Sequence, residues 1–310
     1  MSRPLQCCVA CWSFASALQH FSLTAIFALA LIFSATVGSG QTTWTEARAV
    51  YGVSGQFVVT AIPQASPLQN RADLASDENL VRLEPALLAV SAERFKSVLW
   101  SQLGFKSGSQ WSGKIFLTIR PARTIDDGVD ININLLADTW NYRVELPDIV
   151  NRTRYARALA GTLLLEIANR DNHNASHSAE LPPWLTDGLA RQVLGLDPAK
   201  IVLSSPSKKM DGLPQTRINS KETGLDPLAG ARRTLQESPA LTFDQLSWPT
   251  DAQMNGEDGG VYFASAQLFV SNLLGLEHGA DKMRAMLAQL PGHLNWQTAG
   301  RLAAGRHPKF

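Results

Sequence analysis

Cysteine is nearly absent, and what there is lies at one end. All three cysteines, Cys7, Cys8 and Cys11, fall within the first eleven of 310 residues. A mature chain beginning near residue 41 has none, which excludes disulfides, thiol nucleophiles and thiolate metal sites from the body of the protein. An excess of charge of one sign is also lacking. The chain holds 28 Lys and Arg against 27 Asp and Glu, and Arg3 is the only charged residue among the first forty. A balanced body argues against a nucleic-acid binder, which needs cations to neutralise phosphates. The common catalytic motifs are missing too. There is no G-x-S-x-G elbow, no G-x-G-x-x-G, no G-x-x-x-x-G-K-[ST] and no intact H-E-x-x-H.

What is present is a globular composition, 45% hydrophobic and 18% charged, behind an apolar leader. Residues 21–37 read FSLTAIFALALIFSATV and are followed by Gly38, Ser39 and Gly40. An apolar core ending in small residues resembles a secretory signal peptide over residues 1–40. The expectation is export to a periplasmic or extracellular location. The alternative is an N-terminal membrane anchor, with the leader as the only membrane contact.

The next hundred residues read as an α/β subdomain, 41–147. Phe57–Thr60 is a short strand candidate, and a helix fits 84–103, with Pro85 in its first turn and Gly104 as its stop. Leu88, Ala92, Phe95 and Leu99 share one face of it. Ile115–Ile119 is rich in β-formers. Val129, Ile131, Ile133 and Leu135 alternate with polar residues, as do Tyr142, Val144 and Leu146. The short Ala137–Thr139 connection makes these two strands an antiparallel hairpin with one buried face. Residues 148–310 turn helical. Asp148 is placed to cap a helix running to about Arg170, and further helices fit 182–195, 228–236, 243–247, 260–275 and 279–290. The fold class is α+β: an N-terminal mixed sheet with a long helix, then a mainly helical half.

Chemistry concentrates in residues 158–193. The first part is an apolar helix holding one acid, Glu166, between Leu163, Leu164, Leu165, Ile167 and Ala168. Such a carboxylate must reach water or find a partner. Arg170, four residues on, is the local candidate. The second part reads Leu181-Pro182-Pro183-Trp184-Leu185-Thr186-Asp187-Gly188-Leu189-Ala190. It resembles the P-x-W-L-x-E-G-L-A segment of the peptidase-MA-like, or gluzincin, zinc metallopeptidases. In that family an H-E-x-x-H helix precedes this segment, its histidines bind zinc, and the acid of the tryptophan segment is the third ligand. The segment 262–270, YFASAQLFV, is similar to a helix that often follows.

The resemblance places Leu165 and Asn169 at the histidine positions, Glu166 at the general-base position and Asp187 at the third-ligand position. Leucine cannot ligate zinc, and asparagine is a poor match for it. The resemblance therefore implies a degenerate member, a pseudo-peptidase without zinc or other cofactor, that binds an unidentified peptide, protein or glycan or serves as a scaffold. The alternative is a non-zinc hydrolase using Glu166 and Asp187 as a carboxylate pair. His173 and His177 are four apart, but they sit in a polar stretch that reads as a solvated loop. Trp184 reads as a core anchor, and Tyr262 as a core residue near the same cleft.

Overall fold

A computed structural model describes residues 48–64, 68, 74, 77, 79–106, 113–173, 177–196, 203, 226–255, 259–293 and 296. The chain divides into two compact units, Met1–Thr45 and Glu46–Phe310, and the described residues belong to the second. The leader and residues 204–225 lie outside them. Among the described residues, no single helix is long and apolar enough to cross a membrane.

Five strands form the main sheet: β1 (Val50–Tyr51), β2 (Phe57–Ala61), β4 (Ile115–Arg120), β5 (Asp130–Leu136) and β6 (Thr139–Pro147), in the order β1-β2-β4-β6-β5. Strands β2, β4 and β6 are parallel, while β1 and β5 are antiparallel edges. Period-two alternation decides which face is buried. Phe57, Val59, Ile115, Leu117, Tyr142, Val144 and Leu146 are all at most 1% exposed. Their neighbours Thr60, Thr118, Arg120, Arg143 and Glu145 point the other way, and none is buried. A second, two-stranded sheet pairs β3 (Leu80–Arg82) with β7 (Ile149–Asn151).

Helix α1 (Pro85–Gln102) lies on the apolar face against β2, beside α2 (Arg152–Asn169), which packs on β6. Pro85 opens α1, and Gly104 closes it in the left-handed region at φ +65. Helix α2 begins three residues later than Asp148 suggests. Its cap is Asn151, whose Oδ1 accepts from the amides of Thr153 at 2.9 Å and Arg154 at 3.4 Å. The reason is β7, which occupies Ile149–Asn151 and moves the helix start downstream. Asp148 instead braces the turn after β4, where its carboxylate accepts from the Ala122 amide at 2.8 Å.

The helical half comprises α3 (Pro183–Leu196), α4 (Ala229–Glu237), α5 (Phe243–Ser247), α6 (Asp251–Asn255), α7 (Gly259–Gly275) and α8 (Gly279–Gln289). The change from sheet to helices falls near residue 148, as the composition suggests, yet one hydrophobic core spans it. Phe95 of α1, Leu117 of β4, Leu163 of α2, Leu189 of α3, Val270 of α7 and Leu287 of α8 all belong to the same cluster. The β5–β6 hairpin closes through Ala137 and Asp138 at φ 47 and 62, with Leu136 paired to Thr139. That two-residue turn is of the primed kind, which matches the twist of the flanking strands.

Candidate functional site

The geometry of the 158–193 segment follows from burial. Every residue of α2 from Ala158 to Asn169 is buried, so the polar positions Thr162, Glu166 and Asn169 face protein on all sides. Each needs an internal partner. Thr162 donates to the Ala158 carbonyl at 2.8 Å.

Glu166 is 4% exposed and is gripped by Arg170 of the next turn in a two-pronged ion pair. Arg170 Nε donates to Oε1 at 3.1 Å and Nη2 to Oε2 at 2.9 Å. Burial pushes the carboxyl above its ordinary range, with Arg170 and Lys96 pulling it back. Lys96 reaches this region from α1. It is buried, hydrogen-bonds to Gln56 and lies over the Trp100 ring, and burial holds its ammonium below the usual lysine range. Beside Glu166 and Arg170 is a recess of about 20 Å³ walled by Gly113, Asp138, Thr139, Trp140 and Tyr142. It has room for about one water and no substrate.

Asn169 has no exposed surface. Its amide nitrogen donates to Ser178 Oγ at 2.7 Å and to Tyr142 Oη at 3.4 Å, and its oxygen accepts from the Ala179 amide at 2.8 Å. It fastens the loop after α2 back onto the helix. Leu165 is 9% exposed, and its carbonyl accepts from Tyr142 Oη at 3.1 Å.

Asp187 is 1% exposed and belongs to a different group. Its Oδ1 lies 2.9 Å from Arg157 Nε, and its Oδ2 accepts from Tyr262 Oη at 3.3 Å. Burial raises its pKa, against the pull of Arg157, Tyr262 and Arg191. Helices α2 and α3 run so that Asn169 meets Ala179, Gly161 faces Thr186, and Arg157 meets Asp187. No hydrogen bond or ion pair joins Asp187 to Glu166 or Asn169.

By their hydrogen bonds and ion pairs the four positions fall into two groups: Leu165, Glu166 and Asn169 bond to Tyr142, Arg170, Ser178 and Ala179, and Asp187 bonds to Arg157 and Tyr262. As a zinc site the set does not fit. Leu165 has no donor, Asn169 uses both ends of its amide, and both oxygens of Asp187 are engaged. Among the described residues, no three His, Cys, Asp or Glu side chains gather as a ligand set. His173 is exposed, and His177 Nε2 hydrogen-bonds the Pro291 carbonyl at 2.9 Å.

Two parts of the tryptophan segment have structural explanations. Trp184 is 2% exposed and packs edge-on against Phe269 and Trp296 at 4.9 and 5.8 Å between ring centres. A side chain on Gly188 would put its Cβ 2.5 Å from the Ala266 carbonyl oxygen and from Val270 Cγ2, so this glycine lets α3 and α7 approach closely. The residues that sequence reasoning missed are Arg157, Tyr142 and Ser178. Only Arg157 left a trace: it is the last basic residue before the apolar run of α2. No protein-family model matches the chain, and no curated protein matches it in sequence.

Proposed function

We propose that the protein is a catalytically silent, gluzincin-like domain with a binding or scaffold role, exported by its leader. The observation that carries this reading is the closed hydrogen bonding of Asn169 and Asp187, the two polar side chains at ligand positions. The Asn169 amide is bonded at both ends, and each Asp187 oxygen is held by its own partner, Arg157 or Tyr262. Glu166, at the general-base position, is clamped by Arg170 instead of facing a substrate-sized cleft. The order of elements, a sheet followed by a long helix and then the tryptophan segment, agrees with the family's general layout. The apolar run 21–37 with its small residues is the support for export.

The carboxylate-pair reading needs Glu166 and Asp187 to act on one substrate. Each is tied to its own arginine, Arg170 and Arg157 respectively, which favours the silent reading. The test is elemental analysis of the purified mature protein after dialysis, alongside a general peptidase screen. The expected result is no stoichiometric zinc and no cleavage. About one zinc per chain, or cleavage by the wild type that Glu166→Gln abolishes, overturns the proposal.

A further inference from the structure

At the carboxyl ends of β2 and β4 lies a cavity of about 610 Å³. It is lined by Ile62 and Gln64 after β2, Arg120 to Arg123 and Asp127 after β4, Asp130 at the start of β5 and Glu145 on β6. Its volume is in the range of small-molecule sites.

The loop that forms one side of it is held by hydrogen bonds. Asp127 Oδ2 accepts from Arg120 Nη1 at 2.9 Å and from the Arg123 amide at 2.7 Å, and its Oδ1 accepts from Thr124 Oγ1 at 3.1 Å. Those donors lower its carboxyl to about 2. Arg154 Nη1 donates to the Asp127 carbonyl at 2.9 Å and pins the loop from below. Arg120 Nη2 donates to the Gly128 carbonyl at 2.9 Å. Arg120 and Asp127 thus satisfy each other.

The charges left over are the informative ones. Asp130 and Glu145 are direct partners across the β5–β6 ladder, both on the outward face. Like charges at that position destabilise a sheet. Asp130 has Arg120 Nη2 nearby, at 4.0 Å, and among the described residues the Glu145 carboxylate has no hydrogen bond or ion pair. The Arg123 side chain at the rim is likewise without one among them. The cavity therefore presents two neighbouring carboxylates from the β5–β6 ladder and one guanidinium from the loop after β4.

We infer that this cavity binds a small zwitterion of amino-acid or short-peptide size. Its ammonium end lies between Asp130 and Glu145, and its carboxylate end meets Arg123. A bare divalent ion fits worse, because it finds only two carboxylates and leaves most of the volume empty. The inference does not rest on the silent-peptidase reading, since none of Leu165, Glu166, Asn169 or Asp187 lines the cavity.

The experiment is isothermal titration of the purified protein at low ionic strength, with L-lysine and n-butylamine as probes. L-lysine is expected to bind saturably. Asp130→Asn and Glu145→Gln each weaken both probes at least about fivefold, the range of one exposed charge contact. Arg123→Gln weakens L-lysine by a similar factor but leaves n-butylamine unchanged. Melting temperatures serve as the control. Glu145→Gln removes one of two facing like charges, so it should melt at or above the wild-type temperature while binding worse. L-lysine that does not saturate, equal binding by wild type and Glu145→Gln, or a Glu145→Gln variant that melts several degrees lower would overturn the inference.

Discussion

Arg157 of α2 holds Asp187 of α3 at 2.9 Å, and the two partners differ sharply in exposure. The Asp187 side chain is 1% exposed and that of Arg157 40%. The pair should therefore respond asymmetrically. Arg157→Ala leaves a buried carboxylate without its cation and is expected to cost about 3–5 kcal/mol near neutral pH. Asp187→Asn leaves an arginine that can turn to water and is expected to cost about 1–2 kcal/mol. Urea unfolding of the two variants measures both. Equal losses would mean that the ion pair is not what orders this interface.

Glu166 should give stability an unusual pH slope. Its folded pKa is raised by burial, so the native state binds the proton more tightly than the unfolded chain. Its contribution is full below the ordinary carboxylate value and is lost as pH rises through the raised folded value. Asp187 has the same sign. Asp127 has the opposite one: its contribution is present above 3.8 and lost as pH falls toward about 2. Glu166→Gln imitates the protonated form. Its stability deficit, about 1 kcal/mol near pH 5, should shrink as pH rises. Melts from pH 4 to 8 would reveal it, and a deficit that widens with pH would reverse the assignment.

Gly188 is expected to tolerate no side chain. The new Cβ of Gly188→Ala would meet a backbone oxygen, which cannot swing away as a flexible side chain would. Separating α3 from α7 should cost about 1–3 kcal/mol, measured by chemical denaturation. A neutral substitution would show that these helices slide freely past each other.

Local patterns were legible in the sequence and distant pairings were not. The β5–β6 hairpin could be read because its alternation and short connection lie within 18 residues, although the turn is one residue shorter than the Ala137–Thr139 connection suggested. The Glu166–Arg170 pair could be read because helical spacing alone brings i and i+4 together. The parallel pairing of β2 with β4 depends on a crossover through α1, and nothing in either strand announces its partner. Strands β3 and β7 have three residues each, too few for a period. That omission is also why Asp148 looked like the helix cap in place of Asn151. At the candidate site, Asp187 was singled out as the acid of the tryptophan segment, but its partners lie 30 residues before it and 75 after it. The tryptophan segment was read for its acid and for Trp184 as a core anchor, and Trp184 is indeed buried, whereas the packing role of Gly188 depends on α7, more than 70 residues away in sequence, and was not read.

Rebuilding a metal site on α2 tests the separation of the two groups. Leu165→His with Asn169→His places two imidazoles at i and i+4, a spacing that grips one zinc ion. The double variant should gain measurable zinc affinity over wild type. It should also lose stability, because the Ala179 amide and Ser178 lose their bonds to Asn169, and a buried unpaired donor costs about 1–3 kcal/mol. Adding Asp187→Glu tests the geometry. In a gluzincin arrangement the longer carboxylate completes the ligand set and raises affinity strongly. Here the residue at 187 is held by Arg157 and Tyr262 toward the start of α2. The third substitution should therefore improve zinc affinity by less than about tenfold, below the scale of even an outer-shell partner. Zinc titration followed by thermal shift measures all three proteins. A much larger gain in the triple variant would show that residue 187 reaches the two histidines, and the separation of Asp187 from the Glu166 group would then be incorrect.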